Sequence, residues 1–349
     1  MKAQTERQPL AEGRYSRQVL FSEIGAEGQE RLVASRVLIV GCGALGTAQA
    51  EALSRAGVGK IRIADRDFVE ASNLQRQTMF TEDDARERMP KAVAAARHIG
   101  EINSEIEVEA EVIDVNYSNI ERLITGCDVV VDGTDNFATR YLLNDACVKH
   151  RTDWIYGAAV GSYGVTMTIQ PHQTACLRCI FEEAPPAATA PTCDTAGVIM
   201  PIISVVAAVQ VSEALKLLTG RRVDLHGSLM QFDIWRNEWR KINPGPPAVN
   251  CPTCALARYD TLAATAGEFA AVLCGRNAVQ ISPPRPTHVD FEELAARLGP
   301  NGEVSFNDYL LRFRTGEFEL TVFRDARSII RGTDEISTAR SLYARYIGN

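Results

Sequence analysis

Apolar and polar positions along the first part of the chain alternate between short buried strands and amphipathic helices. Continuous apolar runs at 37–41 and 128–132 are typical of central parallel strands that are buried on both faces. Between them the pattern predicts helices at 48–57 and 90–102 and strands at 60–65 and 108–112. This order of elements predicts an α/β fold with helices on both faces of a sheet.

The rest of the chain contains two further groups of elements. The first group comprises strands at 154–159 and 163–169, an apolar helix at 198–218 and a hairpin at 229–235 and 238–242. Beyond about residue 257 the sequence pattern changes. It predicts short strands at 279–281, 309–313 and 318–323, with helices at 291–298 and 335–346. We therefore predict a main domain over 1–258 and a small α+β domain over 259–349.

Composition and charge restrict the class of protein. With 349 residues, 46% of them hydrophobic, and a net charge of -7, the chain lacks the basic excess of a general nucleic-acid or anionic-membrane binder. Its most apolar stretch, 198–209, is too short to span a bilayer, and the polar N-terminus has no secretory signal. Nine cysteines in such a chain favour a reducing cytoplasm over a disulfide framework. We expect a cytoplasmic protein with no nucleic-acid or membrane partner.

A glycine-rich turn follows the first strand. Gly41, Gly43 and Gly46 form a GxGxxG pattern, and Asp65 lies 19 residues after Gly46, near the place of a carboxylate that binds a ribose hydroxyl. The turn lets backbone N–H groups and a helix N-terminus face a phosphate. A Rossmann-like mixed sheet is the predicted fold, but this pattern alone leaves NAD and ATP as alternatives.

Four polar residues favour a triphosphate. Asn73 and Arg76 supply an amide and a cation, Lys91 lies in the first turn of a helix that starts at Pro90, and Asp135 follows the strand at 128–132. Two cations neutralise phosphate charge, and a carboxylate suits the Mg²⁺ that accompanies ATP. Hydride transfer needs no such cluster, whereas cleavage of ATP between its α- and β-phosphates does.

Two CxxC pairs form a second signal. Cys176 and Cys179, with Cys251 and Cys254, have the spacing of a closed tetrahedral structural Zn²⁺ site. The 71 residues between the pairs exceed the length of a zinc ribbon, so the metal would pin a distant segment onto the main domain. Two unrelated pairs or a redox CxxC are the alternatives.

Eight motifs occur in one order: RYSRQ at 14–18, GCGALG, DRDFVEASNLQRQ, PK at 90–91, GTDN, CLRC, TCDTAGV and CPTC. In that order they resemble the MoeB/ThiF family, the bacterial relatives of ubiquitin-activating enzymes, over about residues 14–256. The tail resembles the C-terminal extension of some longer ThiF-type proteins. One departure is Ala44, where the family more often has a second glycine.

The resemblance implies the fold of ubiquitin-activating enzymes and an ATP-dependent adenylyltransferase. The implied substrate is the C-terminal glycine carboxylate of a ubiquitin-like sulfur carrier ending in Gly-Gly, of the ThiS or MoaD type. The implied pathway is sulfur transfer for thiamin or molybdenum cofactor biosynthesis, with a sulfur donor such as a cysteine desulfurase or rhodanese. A zinc-bearing homodimer is also implied, in which Arg17 reaches the neighbouring subunit's ATP. The ATP-site roles fall on Arg17, Gly41, Gly43, Gly46, Asp65, Asn73, Arg76, Lys91 and Asp135.

Cys193 lies in a Pro/Ala-rich stretch, 182–195, predicted to be a mobile surface loop. Relatives carry a cysteine near the adenylate at this position, where a thiolate would attack the acyl-adenylate or accept sulfur. The alternative is an inert thiol, because adenylation itself needs none. Cys274 lacks the glycine- and arginine-rich loop of a rhodanese and is interpreted as a packed residue.

Three other functions stay open. The glycine turn and Asp65 alone would favour an NAD-dependent oxidoreductase. A non-catalytic scaffold relative is a second alternative, against which the complete set of phosphate-contacting residues argues. The third is an adenylating enzyme that acts on a tRNA base or a peptide. The negative net charge of the chain argues against tRNA as the substrate.

Overall fold

The structure, a computed structural model, describes residues 13–183, 196–263, 269–273, 277–283 and 287–348. The chain divides into two compact units, residues 1–263 and 264–349. The predicted domain boundary after residue 258 lies a few residues before this division. Cys193 and Cys274 lie outside the described residues, so the hypotheses about them stay predictions.

An eight-stranded sheet organises the first unit, with strand order β3-β2-β1-β4-β5-β6-β7-β8. The strands β1 to β5 run parallel to one another, and β6 to β8 are added antiparallel. Their bounds are β1 Arg36–Val40, β2 Lys60–Asp65, β3 Glu107–Val112, β4 Val129–Asp132, β5 Asp153–Val160, β6 Tyr163–Ile169, β7 Leu229–Asp233 and β8 Glu238–Ile242. The predicted mixed Rossmann-like sheet is confirmed.

Helices cover both faces of this sheet. Alternation along β1 divides the core, because Val37 and Ile39 pack under α3, α5 and α9 while Leu38 and Val40 pack under α6 and α7. The helices of the first unit are α1 Ser16–Val19, α2 Gly25–Ala34, α3 Ala44–Ala56, α4 Glu82–Glu87, α5 Lys91–Ile102, α6 Ile120–Ile124, α7 Phe137–His150, α8 Leu177–Ile180 and α9 Met200–Leu218.

The apolar helix α9 packs against the sheet and α3. By length and composition it could cross a membrane, but more than half of its most apolar window is buried inside the unit. It also carries Gln210, which is fully buried and donates from Nε2 to the carbonyls of Asp132 at 3.0 Å and Ile155 at 3.1 Å. These hydrogen bonds fix α9 to β4 and β5, as the prediction of a buried helix requires.

The second unit is a six-stranded antiparallel sheet of order β11-β12-β13-β14-β10-β9. Its elements are β9 Phe269–Leu273, β10 Ala278–Ser282, α10 Phe291–Leu298, β11 Glu303–Phe306, β12 Leu310–Thr315, β13 Phe318–Phe323, β14 Ser328–Arg331 and α11 Ile336–Tyr346. Its core joins Phe313, Leu320 and Ile330 from the sheet to Phe291 and Tyr343 from the helices. The predicted α+β character is confirmed, and β9, β11 and β14 are additional strands.

Candidate nucleotide site and metal centre

The candidate nucleotide site lies where β1 and β4 end side by side, the point at which the strand order of the sheet reverses. The Gly133 N–H donates to the Val40 carbonyl at 2.8 Å, which holds the two strand ends together. Gly41 has a φ of +86°, and a Cβ there would lie 2.7 Å from the Gly133 carbonyl oxygen. Only glycine fits this close crossing of two backbones.

Helix α3 begins directly after this crossing. A Cβ on Gly46 would lie 1.9 Å from the Gly41 carbonyl oxygen, so the glycine lets the helix pack onto the strand end. Gly43 is the N-cap, and among the described residues no side chain caps the helix. Its first N–H groups are therefore available to an anion. Ala44 occupies the first helical position, which accommodates its methyl group.

Asp65, at the end of β2, supports the glycine turn. Its carboxylate accepts hydrogen bonds from the Cys42 N–H at 2.6 Å and the Asp67 N–H at 2.7 Å. Burial raises the pKa of Asp65, and the nearby Lys91 cation acts against that rise. The predicted contact of Asp65 with a ribose stays a prediction, since the described partners of the carboxylate are backbone groups.

Lys91 is buried beside Asp67, an acid that the sequence analysis did not select. The Lys91 side chain is 5% exposed, and its Nζ lies 3.3 Å from Oδ2 of Asp67. The Lys91 N–H also donates to the Asp67 carbonyl at 2.9 Å, so backbone and side chain are fixed together. A cation at a helix start is unfavourable without such a partner. The signal in the sequence that could have indicated Asp67 is its position two residues after Asp65, just beyond the end of β2.

Arg66 and Asp135 complete the charges near this edge. Nη1 of Arg66 lies 3.1 Å from Oδ1 of Asp114. Burial lowers the pKa of Arg66, but the charges of Asp114, Asp67 and Asp135 outweigh burial and raise it. Asp135 is exposed just before α7, whose N-cap is Asn136. An exposed carboxylate at this edge is accessible to a cation.

Asp132, the neighbouring acid at the end of β4, has a different environment. It is fully buried, with Oδ2 3.3 Å from Nε of Arg140, and Oδ1 accepts from the N–H and hydroxyl of Thr134. Burial raises the pKa of Asp132, and Arg140 opposes that rise. Both carboxylate oxygens of Asp132 thus have partners within the protein. Of the two acids, Asp135 is the one that is open to a metal ion.

Asn73 and Arg76 lie on a turn that faces the start of α3. Asn73 is buried at the end of a short 3-10 helix, and its carbonyl accepts the N–H groups of Arg76 at 3.1 Å and Gln77 at 3.0 Å. Nη1 of the half-buried Arg76 donates to the Ser72 carbonyl at 3.0 Å. The side chain of Gln77 reaches the position of Gly43, which places this turn next to the glycine turn.

Arg17 is not brought to this site within one chain. It is exposed on α1, whose next residue, Gln18, donates to the Ala56 carbonyl at 2.8 Å. Ala56 ends α3, so Arg17 lies by the end of that helix opposite to Gly43. A helix of 13 residues is about 20 Å long, which separates Arg17 from the glycine turn of its own chain.

The four cysteines of the two CxxC pairs come together. Their Sγ atoms all lie within 4.8 Å of one another, with separations of 3.5 Å for Cys176–Cys251, 3.4 Å for Cys179–Cys254 and 3.8 Å for Cys176–Cys179. Tetrahedral Zn²⁺ with Zn–S distances of about 2.3 Å requires sulfur separations of about 3.8 Å. The predicted cluster of four thiols is confirmed, and its size and donor set fit a metal such as zinc.

Neighbouring polar groups hold the cluster in place. The Ala248 N–H donates to Sγ of Cys179 at 3.4 Å, and the hydrogen bond with the Cys176 thiol lowers the pKa of Cys179. On α7, buried Asp145 accepts from the hydroxyl groups of Thr253 and Thr261, both at 2.7 Å. Asp145 thus ties the second CxxC segment to α7, a role that no sequence pattern indicated.

Comparison with known proteins identifies the family. The model of the ThiF family matches residues 15–253. The chain belongs to the ThiF family. The predicted MoeB/ThiF resemblance is therefore confirmed.

Two relatives and one solved structure describe the similarity further. The chain is 47% identical to the sulfur carrier protein ThiS adenylyltransferase of Bacillus subtilis, over 96% of this chain and 99% of that protein. It is 38% identical to the Escherichia coli enzyme of the same name, over 71% of this chain and 96% of that one. A crystal structure of E. coli MccB with ATP has 23% identity and a TM-score of 0.62 over 70% of this chain and 75% of that one, which shows a shared fold. The relatives' names bear out the predicted class of enzyme, a nucleotidyltransferase.

Proposed function

We propose that the protein uses ATP to adenylate the C-terminal glycine carboxylate of a ubiquitin-like sulfur carrier ending in Gly-Gly. The observation that carries this proposal is the buried Lys91, which is paired with Asp67. Lys91 lies near Asp65 and near Cys42 of the glycine turn, where no described side chain caps the start of α3. This arrangement supports binding of a phosphate chain rather than hydride transfer. Identity of 47% to a ThiS adenylyltransferase over nearly the full length supports the choice of carrier.

In the proposed reaction, a carboxylate oxygen of the carrier attacks the α-phosphorus of ATP. The new O–P bond forms the acyl-adenylate as the bond to the β-phosphate oxygen breaks, and pyrophosphate leaves. A carboxylate is ionised at neutral pH, so no general base is required. Positioning and charge neutralisation by the protein then lower the barrier.

Each site residue has a proposed role in this step. The turn formed by Gly41, Gly43 and Gly46 lets the N–H groups at the start of α3 bind phosphate oxygens, and Asp65 and Asn73 complete the nucleotide site. Arg76 and Lys91 neutralise charge that develops on the phosphates. Asp135 would bind the Mg²⁺ that accompanies ATP. Asp67 holds Lys91 in place before ATP arrives, so it is a positioning residue.

We infer that the enzyme acts as a homodimer in which Arg17 enters the partner's nucleotide site. Support comes from the exposure of Arg17 and its distance from the glycine turn of its own chain. Two exposed apolar residues follow it, Leu20 at 72% and Phe21 at 57%, as expected for a surface that a partner covers. Each site would then be incomplete in a single chain.

The cysteine cluster is proposed to hold one structural Zn²⁺. All four positions around a tetrahedral ion would be taken by Cys176, Cys179, Cys251 and Cys254, so the metal would have no open position for substrate. Its task is to join the segment after β8 to the main unit. Chemistry at the nucleotide site would not pass through it.

The pathway is proposed to be cytoplasmic sulfur transfer for thiamin or molybdenum cofactor biosynthesis, with a cysteine desulfurase or rhodanese as donor. Cys193 is the proposed thiol for a covalent step after adenylation. In this proposal Cys193→Ala leaves exchange between ATP and pyrophosphate intact but blocks sulfur transfer to the carrier. If this variant produces carrier thiocarboxylate at the normal rate, Cys193 has no covalent role.

Exchange of labelled pyrophosphate into ATP tests the proposed function. We expect exchange only when a carrier ending in Gly-Gly is present, because the carrier supplies the attacking carboxylate. A carrier that lacks its last glycine is the matched control. Exchange that is independent of any carrier, or NAD binding in place of ATP binding, would contradict the proposal.

A further inference from the structure

Helix α1, which carries Arg17, is held by side chains on both sides of that residue. Tyr15 is 6% exposed, and its hydroxyl accepts a hydrogen bond at 2.8 Å from Nδ2 of the fully buried Asn103. Gln18 donates from Nε2 to Oε1 of the fully buried Gln29 at 2.6 Å. A helix of four residues is not stable alone, so these contacts set the position of α1.

The anchoring residues and Arg17 lie on different sides of α1. Tyr15 and Gln18 are three residues apart, so they fall on the same side of a helical turn. Each residue advances by about 100° around a helix, which places Arg17 on another side. Arg17 is exposed there. The contacts that hold α1 to its own chain therefore leave the side chain of Arg17 free to reach a second chain.

The end of α3 does not depend on Gln18, although Nε2 of Gln18 also donates to the Ala56 carbonyl at 2.8 Å. This carbonyl, the last of α3, accepts a second hydrogen bond from Nε2 of Gln29 at 3.0 Å. Gly57 then ends the helix in the left-handed conformation, with a φ of +87°. Because the helix end keeps the Gln29 donor, loss of Gln18 should release α1 and leave α3 in place.

We propose that Gln18, together with Tyr15, positions Arg17 for the partner's nucleotide site by fixing α1 to the end of α3. This inference rests on the proposed homodimer, in which Arg17 enters the other subunit's site. Ordering a long side chain costs conformational entropy, and a fixed helix reduces the volume that the guanidinium searches. Gln18 touches no nucleotide, so it is a positioning residue whose effect falls on the partner's site and not on its own.

Gln18→Met tests this role in the full-length protein, because methionine keeps the length of the side chain and removes its donor. Since two hydrogen bonds are lost, we expect ATP–pyrophosphate exchange to fall by about 5- to 30-fold, and Arg17→Ala should lower it further. Circular dichroism should match wild type. Gln173→Met, in the exposed turn after β6, is the control and should exchange like wild type. Unchanged exchange in Gln18→Met would overturn the proposal.

Mixed dimers separate the positioning of Arg17 from a purely structural role of Gln18. A dimer of Gln18→Met with Asp135→Ala has one site with an intact Asp135 and a well-placed Arg17. Random mixing of these two variants should therefore restore about a quarter of the wild-type exchange. Mixing Gln18→Met with Arg17→Ala should give no gain over the mean of the two variants, because neither chain offers a well-placed Arg17.

A purely structural defect would give the reverse pattern. If Gln18→Met damaged only the nucleotide site of its own chain, its Arg17 would still serve the intact site of an Arg17→Ala chain. Exchange would then recover with Arg17→Ala and not with Asp135→Ala. This pattern would overturn the proposal.

The mixture of Arg17→Ala with Asp135→Ala distinguishes the possible failures. If this pair recovers exchange and Gln18→Met shows the reverse pattern, only the role of Gln18 is wrong. If this pair fails to recover in dimers shown to be mixed by two affinity tags, the shared site and the role of Gln18 are both wrong. If wild type shows no carrier-dependent exchange, the proposed function is wrong, and the same mixtures decide the role of Gln18 by the number of sites per dimer that bind ATP with wild-type affinity.

Discussion

At the scale of single residues, the candidate site depends on a few charges whose positions are fixed before ligand binds. Lys91 is held by Asp67, and the N–H of Cys42 by Asp65. Preorganised charges stabilise a transition state without further rearrangement, so loss of one contact costs about 3–4 kcal/mol of barrier. This cost should appear as a lower rate of ATP–pyrophosphate exchange.

Arg76→Ala, Lys91→Ala and Asp135→Ala should each reduce ATP–pyrophosphate exchange by about 10²–10³-fold. The measurement is exchange with saturating carrier on variants whose circular dichroism matches wild type. Lys60→Ala is a matched control, because Lys60 also pairs with carboxylates but lies at the opposite end of β2. Near-normal exchange in all three variants would remove the ATP-site assignment.

Asp67→Asn should destabilise the protein more without ATP than with it. The substitution removes the carboxylate of Asp67 from its pair with the Lys91 cation, which is 5% exposed, and breaking a buried pair costs about 3–5 kcal/mol. ATP phosphates would supply the missing negative charge and stabilise the folded state. Thermal unfolding should show a larger rise of Tm with ATP for Asp67→Asn than for wild type. Equal rises would refute the positioning role, and Glu107→Gln is the exposed control.

The sequence predicted which residues gather at the site better than it predicted their partners. Gly41, Gly46 and Lys91 follow from local patterns that strands and helix starts impose. The partners depend on tertiary packing: Arg140 neutralises Asp132 from a different element, and no spacing in the sequence reports that pair. The burial and pairing of Asp132 at the end of β4 therefore could not be predicted from its position in the sequence.

At the scale of elements, the cluster of four cysteines joins distant parts of the first unit. The start of α8 and the segment after β8 each supply two thiols, and α7 anchors the segment after β8 through Asp145. Folding and metal binding are coupled in such sites, because the unfolded chain does not hold four thiolates together. Loss of metal should therefore reduce the thermal stability of the protein more than its rate of adenylation.

Purified protein should contain one zinc per chain, and Cys179→Ser or Cys254→Ser should release it. Elemental analysis and thermal unfolding, each with and without a strong chelator, are the measurements. Cys127→Ser is the matched control, because this half-buried thiol lies outside the cluster and should leave zinc in place. Wild-type protein purified without chelator and found free of zinc would contradict the assignment.

The longest apolar elements were predictable, and several shorter ones were not. The helix at 198–218 and the strands around it carry enough apolar positions to show their periodicity. The missed helices include α2, with 10 residues, and α4 and α6, with 6 and 5 residues, fewer than two helical turns. Their stability comes from local caps and tertiary contacts, such as the capping box formed by Thr81 and Asp84 in α4.

At the scale of the whole molecule, the two compact units have different relationships to the family. The E. coli enzyme is matched over 96% of its length by 71% of this chain, whereas the B. subtilis enzyme matches 96% of this chain. The family model ends at residue 253, before the second unit. The adenylation chemistry proposed here therefore requires only the first unit. None of the residues proposed to take part in it lies in the second unit.

The proposed dimer predicts complementation between two inactive variants. Arg17→Ala damages the partner's site, and Asp135→Ala damages its own. A mixed dimer keeps one intact site, so random mixing should restore about a quarter of the wild-type exchange. The measurement is exchange after joint refolding or co-expression, with each variant alone as control. No recovery in dimers shown to be mixed would exclude a shared site.

The most direct test of the central claim is mass spectrometry of the carrier after reaction with the enzyme, ATP and Mg²⁺. A carrier ending in Gly-Gly should gain the mass of one adenylyl group. ATP should release an equal amount of pyrophosphate. The same carrier with an amidated C-terminus should remain unchanged, because it lacks the attacking carboxylate. An unmodified Gly-Gly carrier in the presence of enzyme that binds ATP would contradict the account.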